Sequence, residues 1–254
     1  MKAIKAFIFF GIFALYGSMV NSQSLTATQV LVKSYDQQLG ETSISEMKMR
    51  IVRPEYEREV SLKNWSYGKE YYIIYIMSPA RDKGQVFLKR ENNMWNWLPK
   101  INRMMKIPPS MMSASWMGSD FSNNDLVRER TFINDYESEF KEGENKGGFD
   151  CYSIELIPKP EAPVVWSKVQ VWIDKKHFNV VEAKYYNELD ELVTHQVASD
   201  FKDFDGRYLP AKLTMIPVKK PGQRTEMETI SMSFDEPSVS KSMFSIQNMK
   251  RIKP

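Results

Sequence analysis

A hydrophobic period of two runs through most of the chain and limits the possible folds more than any other feature. Met47, Met49 and Ile51 alternate with charged residues, and similar runs rich in β-branched and aromatic side chains recur at short intervals as far as about residue 234. Turn-forming groups separate them, such as DKG at 82–84 and PG at 221–222. This pattern predicts about a dozen strands joined mainly as antiparallel neighbours. A large curved sheet, a sandwich or a barrel would satisfy it.

One segment near the start has helical character instead. Thr26 and Gln29 form a capping box, and Leu25 and Val30 stand at the positions of a hydrophobic staple. Gly40 is suited to end the helix. The apolar residues that share one face are Ala27, Leu31, Tyr35 and Leu39. We therefore expect an amphipathic helix of about three turns before the strands begin.

A second departure from the strand pattern lies between residues 108 and 136. The stretches 113–116 and 123–130 have the composition of short helical pieces inside a long connection. Compact domains rarely keep so long a strand-free connection unless it has a use. The sequence thus predicts a mostly β protein, a strongly curved antiparallel sheet with an N-terminal helix and a short helical insertion covering its mouth.

The first 22 residues have the features of a secretory signal peptide. Lys2 and Lys5 precede an apolar run of about fifteen residues, and Val20 and Ser22 occupy the −3 and −1 positions of a cleavage site. We expect the mature protein to begin at Gln23 and to form one domain, 23–254. The leader holds two of the 35 basic residues and none of the 32 acidic ones, so 33 and 32 remain, a formal charge of +1. That balance predicts no nucleic-acid partner.

The residues that usually carry chemistry are few. His177 and His195 lie in strand-like segments outside any catalytic motif, and Cys151 lies in an apolar-alternating run typical of a buried thiol. We therefore predict no catalytic residues, no cofactor and no metal site. An unrecognised hydrolase using carboxylate pairs such as Asp203 and Asp205 remains an alternative.

The segment 94–117 is unusually rich in large, adaptable apolar side chains, with six methionines and three tryptophans. These residues occupy both faces of their predicted strands, whereas a one-sided sheet needs alternation. Such a surface suits ligands of variable shape, although an ordinary core and a Met-ligated Cu(I) site are alternatives. The predicted lipid-contacting set is Leu31, Tyr35, Met94, Trp95, Trp97, Met104, Met105, Met111, Met112, Trp116 and Met117.

Four motifs in order give the chain a family resemblance. They read SPARDKG at 78–84, WNWLP at 95–99, RMMKIP at 103–108 and WMGSDFSNNDL at 116–126. Together they resemble the outer-membrane lipoprotein-sorting protein family, the larger relatives of the periplasmic carrier LolA. Outside these roughly fifty residues the resemblance is one of pattern: leader, opening helix and serial strands.

The resemblance implies an unclosed β-barrel with helices over its mouth and an apolar cavity for acyl chains. It implies a soluble, monomeric carrier in the periplasm of a Gram-negative-type envelope, which shuttles lipoproteins or other lipids towards the outer membrane. An inner-membrane transporter of the resistance-nodulation-division type and an outer-membrane acceptor are the partners it suggests. The cargo stays open among lipoproteins, glycolipids and hopanoid-like lipids. The alternative is an envelope module that docks on such a transporter and regulates it without carrying lipid.

Overall fold

The computed structural model describes residues 24–127, 131–162 and 164–254. The predicted signal peptide lies outside these described residues. Among the residues that are described, no helix combines the length and the apolar character needed to cross a membrane.

Fourteen strands and four α-helices occur in the described part of the chain. The helices are α1 (Ala27–Gln38), α2 (Asn123–Val127), α3 (Thr131–Asn134) and α4 (Ile246–Met249). The first strands are β1 (Thr42–Arg53), β2 (Tyr56–Tyr67), β3 (Tyr71–Ser78), β4 (Val86–Arg90), β5 (Asn93–Leu98) and β6 (Arg103–Lys106). The later strands are β7 (Tyr136–Lys141), β8 (Asn145–Lys146), β9 (Phe149–Pro158), β10 (Lys168–Asp174), β11 (Val180–Tyr186), β12 (Leu192–Phe204), β13 (Arg207–Pro217) and β14 (Arg224–Phe234).

All the strands belong to one antiparallel sheet whose order is β6-β5-β4-β3-β2-β1-β14-β13-β12-β11-β10-β9-β7, with β8 paired to β9. The first and last strands of the chain pair in the middle of this order, as in Met49 opposite Met227. Within the described ranges no ladder joins the outer strands β6 and β7, so the sheet is not closed. These two strands are consecutive in the chain, and the segment 107–135 connects them. The prediction of an unclosed antiparallel sheet with few helices is confirmed.

Helix α1 begins as its sequence predicts. The Thr26 hydroxyl accepts a hydrogen bond from the Gln29 N–H, and the Gln29 side chain accepts one from the Thr26 N–H. Helix α1 ends at Gln38 with Leu39 as its extended C-cap, so it stops just before Gly40 as predicted, although Gly40 does not adopt the left-handed conformation of a capping glycine. Gly40 is needed for a close approach instead: an added Cβ would lie 2.8 Å from the Thr42 carbonyl oxygen and 2.9 Å from Asp235 Oδ1.

Strands β2 to β5 are covered on both faces. On the concave face, Leu62, Ile74 and Phe87 belong to a cluster that also contains Met94 and Trp116. The opposite face is covered by the C-terminal segment 236–254. The cluster on that face contains Trp65, Ile73, Leu88 and Trp97 from the sheet and Val239, Phe244 and Met249 from the C-terminal segment. This second cover is the physical reason for large apolar side chains on both faces of β5.

Within the segment 107–122, the stretch 113–116 departs from its predicted helical form. No helix forms at 113–116; instead Ser115 makes an isolated bridge with Ser122, and the Trp116 N–H donates to the Phe121 carbonyl. The segment is held to the sheet by Arg53 and Asp120, whose side chains are about nine-tenths buried. Two guanidinium nitrogens of Arg53 meet the two carboxylate oxygens of Asp120 at 3.0 and 3.1 Å.

Candidate functional site: an apolar cavity beneath α1 and the connection

A cavity of about 430 Å³ lies between the concave face of the sheet, α1 and the second half of the connection from β6 to β7. Ligand pockets in proteins typically fall in the range of about 300–1,000 Å³. The cavity is formed where α1 crosses the open sheet, with Leu31 and Tyr35 facing inwards. The side of α1 near β7 and α3 packs into a closed cluster that contains Ala27 and Val30.

The lining is predominantly apolar, and three parts of the chain supply it in addition to α1. The connection contributes Phe121, Leu126, Phe132 and Ile133, and the β9–β10 loop contributes Val164, Val165 and Trp166. The sheet contributes Val171, Val180, Ala183, Leu209, Ala211, Leu213, Met215, Met227 and Met232. Alternation places Leu209, Ala211, Leu213 and Met215 of β13 on one face of the sheet. Register shifts in β11 and β14 bring Val180 and Met232 to the same side as Ala183 and Met227. They could be expected from the strand pattern to be buried, but nothing in that pattern signals a space between them and the helix.

A few polar side chains line the same cavity. The Tyr185 hydroxyl donates to Gln196 Oε1 at 2.8 Å, and the Tyr136 hydroxyl donates to the Trp166 carbonyl at 2.9 Å. Burial raises the pKa of Tyr136 to about 12 and also raises the pKa of Tyr185. Both phenols are therefore neutral hydrogen-bonding groups at any physiological pH.

Asp125 is the charged residue in this lining, among the residues that the structure describes. Its Oδ2 accepts hydrogen bonds from the Ser122 N–H at 2.7 Å and from the Ser122 hydroxyl at 2.8 Å. Surrounding protein raises the pKa of the Asp125 carboxyl, and the Ser122 hydrogen bonds oppose that shift. The side chain nevertheless has accessible surface, which is consistent with its place in the cavity wall.

A small recess of about 70 Å³ adjoins the cavity on the side of β1 to β3. Met47, Tyr72, Leu126 and Met227 line both spaces. Trp116 lines the recess, where its ring meets that of Phe87 edge-on with the centroids 5.4 Å apart. The recess therefore extends the cavity towards the concave cluster of the first half of the sheet.

The predicted lipid-contacting residues are distributed over several places. Leu31 and Tyr35 line the cavity, and Trp116 lines the recess. Met94 is buried in the concave cluster, with Met112 and Met117 packed against that cluster. Trp97 is buried in the cluster on the opposite face, with Trp95 and Met104 packed against it. Met105 is half-buried, and Met111 is 52 % exposed. Whether these residues contact cargo stays a prediction.

The groups considered for catalysis do not converge. His177 contacts Asp174 at 3.1 Å, and His195 contacts Glu182 at 3.0 Å, each apart from the cavity lining. The Cys151 thiol is fully buried, and burial raises its pKa to about 11. Within the described ranges, no group of three or more His, Cys, Asp or Glu side chains is arranged to hold a metal ion.

Sheet topology and cavity together define a class: an open antiparallel barrel of the LolA type, with helices over an apolar interior. A DUF1329 family protein from Desulfovibrio piger is similar over 88 % of this chain and 97 % of its own, with 25 % identity and a TM-score of 0.80. A putative outer-membrane lipoprotein-sorting protein domain from Vibrio parahaemolyticus is similar over 89 % and 98 %, with 20 % identity and a TM-score of 0.79. A LolA superfamily protein from Nitrosomonas europaea is similar over 88 % and 99 %, with 21 % identity and a TM-score of 0.73.

Residues 68–251 match a family model described as "-like: Uncharacterized protein", and the chain belongs to that family. No curated protein matches it in sequence. The similarity to the lipoprotein-sorting domain and to the LolA superfamily protein confirms the fold that the resemblance of the four motifs implied.

Proposed function

We propose that this chain is a periplasmic carrier that holds acyl chains of lipids or lipoproteins in its cavity and shuttles them towards the outer membrane. The observation that carries the proposal is the apolar cavity between the sheet, α1 and the connection. Helix α1 and the short helices α2 and α3 cover this cavity. A lipid could enter by displacing these helices, without breaking the hydrogen bonds of the sheet. The family resemblance adds an inner-membrane transporter of the resistance-nodulation-division type and an outer-membrane acceptor as partners.

The energetics suit a carrier. Burying one methylene group is worth about 0.8 kcal/mol, so a sixteen-carbon acyl chain gains on the order of 12 kcal/mol before the entropy of binding is subtracted. Contacts of this kind are non-directional. A competing apolar site can therefore accept the cargo without having to match a set of hydrogen bonds.

The test is to purify the mature protein from its native envelope without detergent and to analyse it by native mass spectrometry and lipid extraction. We expect bound lipid that is lost after substitution Leu213→Trp, which places a large ring in the cavity wall. Ile230→Trp is the matched control, because Ile230 is 50 % exposed and outside the lining. This control should keep the lipid.

An apo mass for the wild-type protein, together with no uptake of a fluorescent lipid from vesicles, would overturn the carrier proposal. It would favour the alternative module, which docks on a transporter without cargo.

A further inference from the structure

The loop tips at one end of the sheet carry exposed apolar side chains. Four hairpins follow one another along the sheet at this end: β9–β10 at 159–167, β11–β12 at 187–191, β13–β14 at 218–223 and β1–β2 at 54–55. In the same order, the exposed apolar residues at or beside their tips are Val165, Leu189, Val218 and Tyr56, of which Leu189 is 79 % exposed. We call these four residues the apolar tips.

Side-chain contacts and strand pairing join the four hairpins into one row. Lys219 Nζ lies 2.6 Å from Glu191 Oε2, which joins the β13–β14 and β11–β12 hairpins. Lys168, directly after the β9–β10 loop, forms an ion pair with Asp190 of the β11–β12 hairpin. The register of β1 against β14 places the β1–β2 hairpin beside the β13–β14 hairpin. The apolar tips therefore lie along one continuous edge of the molecule.

The turns at the other end of the sheet differ in this respect. They are 68–70, 91–92, 175–179 and 205–206. None of these four turns, all of which the structure describes, carries an exposed large apolar side chain. Exposed apolar tips are therefore a property of one end of the sheet and not of the hairpins in general, and such surfaces mark interaction sites.

The cavity reaches the surface at the same end. Val165 is 53 % exposed and also belongs to the cavity lining, between the lining residues Val164 and Trp166. The Tyr136 hydroxyl donates to the Trp166 carbonyl at 2.9 Å, which fixes this loop against the start of β7. A ligand that leaves the cavity beside Val165 emerges among the apolar tips.

We propose that the apolar tips dock this end of the protein on the surface of a lipid bilayer. The transfer of cargo at that surface rests on the proposed carrier function, whereas the docking itself does not. Successive hairpins of the row are two strands apart, about 10 Å, so each tip is a separate apolar side chain among polar neighbours. A bilayer interface takes up such side chains one by one. A stable protein partner needs a continuous complementary surface of about 800 Å² on each side.

The charges of the row indicate what kind of bilayer it fits. The four hairpin loops contain three Lys residues and five Asp or Glu residues. The pairs Lys219–Glu191 and Lys168–Asp190 hold four charged groups against each other within the row. Docking therefore depends on apolar contact and needs no anionic lipid.

The experiment measures flotation of the mature protein with phosphatidylcholine vesicles, which contain a fluorescent phosphatidylcholine whose uptake is read separately. We expect binding that persists in about 0.5 M NaCl, where attraction between exposed charges is screened. Leu189→Gln should lower the vesicle partition coefficient roughly five- to tenfold, because it replaces an apolar side chain at the interface by a polar one. Adding Val218→Gln should lower it further.

Ile230→Gln is the matched control, since it makes the same kind of change at an exposed position within β14, away from the tips. It should leave flotation unchanged, and circular dichroism should show all variants folded. Absence of flotation, its loss at high salt, or equal effects of Leu189→Gln and Ile230→Gln would overturn the docking inference. Uptake of the fluorescent lipid would still support the carrier proposal in those cases. Flotation that depends on Leu189, with no lipid taken up, would support the docking and count against the carrier.

Discussion

Single residues of the segment 94–117 differ sharply in their surroundings. Trp116 is 1 % exposed and Met111 is 52 % exposed, although only four residues separate them. Their sequence context is similar, since both belong to the same Met- and Trp-rich connection. The difference arises from tertiary contacts, because the Trp116 ring fills the space beside Phe87 whereas Met111 lies at the surface.

Truncation at these two positions should therefore change the free energy of unfolding by very different amounts. Trp116→Ala should lower the free energy of unfolding by about 3–5 kcal/mol, because a large buried ring is lost and a cavity remains. Met111→Ser should change it by less than about 0.5 kcal/mol. Urea denaturation followed by circular dichroism measures both. Equal effects of the two substitutions would show that Trp116 is not a core residue of the folded protein.

Cys151 should be unreactive while the protein is folded. With a pKa of about 11 its thiolate fraction at pH 8 is about one in a thousand, and its Sγ is buried beside Trp172 and Val181. Ellman's reagent should react with it promptly only in urea, and Cys151→Ser should give no signal in either state. Fast reaction of the native protein would contradict this burial.

The raised pKa of Cys151 also makes the stability of the protein depend on pH. The folded-state pKa lies above the value of about 8.5 for an unfolded chain, so folding favours the protonated thiol. The contribution of Cys151 to stability is therefore fully present below about pH 8.5, and it decreases as the pH rises towards 11.

At the scale of elements, the connection between β6 and β7 is anchored to the sheet at residues 118–120, and its helices α2 and α3 pack over the cavity. The anchor is the ion pair of Arg53 and Asp120, in which Asp120 Oδ2 also accepts the Thr225 hydroxyl at 2.6 Å. Arg53 further donates to the Gly118 carbonyl at 3.0 Å. These hydrogen bonds hold 118–120 against the β1 and β14 strands, while α2 and α3 lie further along, over the cavity.

Breaking this anchor should loosen the connection specifically. Arg53→Met leaves the Asp120 carboxylate buried without its partner, which should cost about 3–5 kcal/mol of stability. Hydrogen exchange should accelerate in 117–122 before it does in the strands. Arg81→Met is the control, since Arg81 is 64 % exposed in its ion pair with Asp82 and should contribute less than about 1 kcal/mol. Unchanged exchange in 117–122 would contradict the anchoring role.

Much of this element structure is predictable from sequence because local chemistry determines it. The capping box at Thr26 and the alternation in β1 need no tertiary information. The stretch 113–116 has hydrogen-bond partners outside itself instead of helical ones. The Asn123 amide donates to the Met111 and Ala114 carbonyls, and the Trp116 N–H donates to the Phe121 carbonyl. Helix propensity does not take account of a hydrogen-bond partner nine to twelve residues away in the chain.

For the whole molecule, the C-terminal segment 236–254 is a structural layer of the sheet. Val239, Phe244 and Met249 pack on the convex face, and the Lys250 ammonium lies 4.9 Å from the Trp97 ring centroid. These apolar residues have no clear period in the sequence, so their partner surface could not be predicted. From the sequence, the two-sided apolar strands are interpreted as a surface for ligands of variable shape, and in the structure the C-terminal segment covers one of those two faces.

A chain ended after Glu236 should therefore expose a large apolar face. We expect a lower melting temperature, binding of the dye ANS and aggregation, because Trp65, Tyr71 and Trp97 lose their cover. A chain ended after Arg251 keeps Phe244 and Met249 and should behave nearly as the full chain does. If the shorter chain stays monomeric and binds no ANS, the C-terminal layer is dispensable.

The family resemblance implied an apolar cavity, but hydrophobic periodicity does not predict one. Ala183, Leu213 and Met215 alternate as core residues do, and whether a space remains above them depends on the summed volumes of α1 and the connection. That balance is not encoded in any local pattern. Hydrophobic periodicity predicts the face that Leu213 occupies but not whether another side chain touches it.

Because β6 and β7 are not paired, the open barrel can change its circumference more easily than a closed barrel can. In a closed barrel, hydrogen bonds fix the circumference at every strand, so widening must break a ladder. Here no ladder joins the two edges among the described residues, and the segment 107–135 is the covalent link between them. The circumference of the open barrel can therefore increase through small changes of strand twist while every strand ladder stays hydrogen-bonded. The volume of the cavity can therefore adapt to the ligand that it holds.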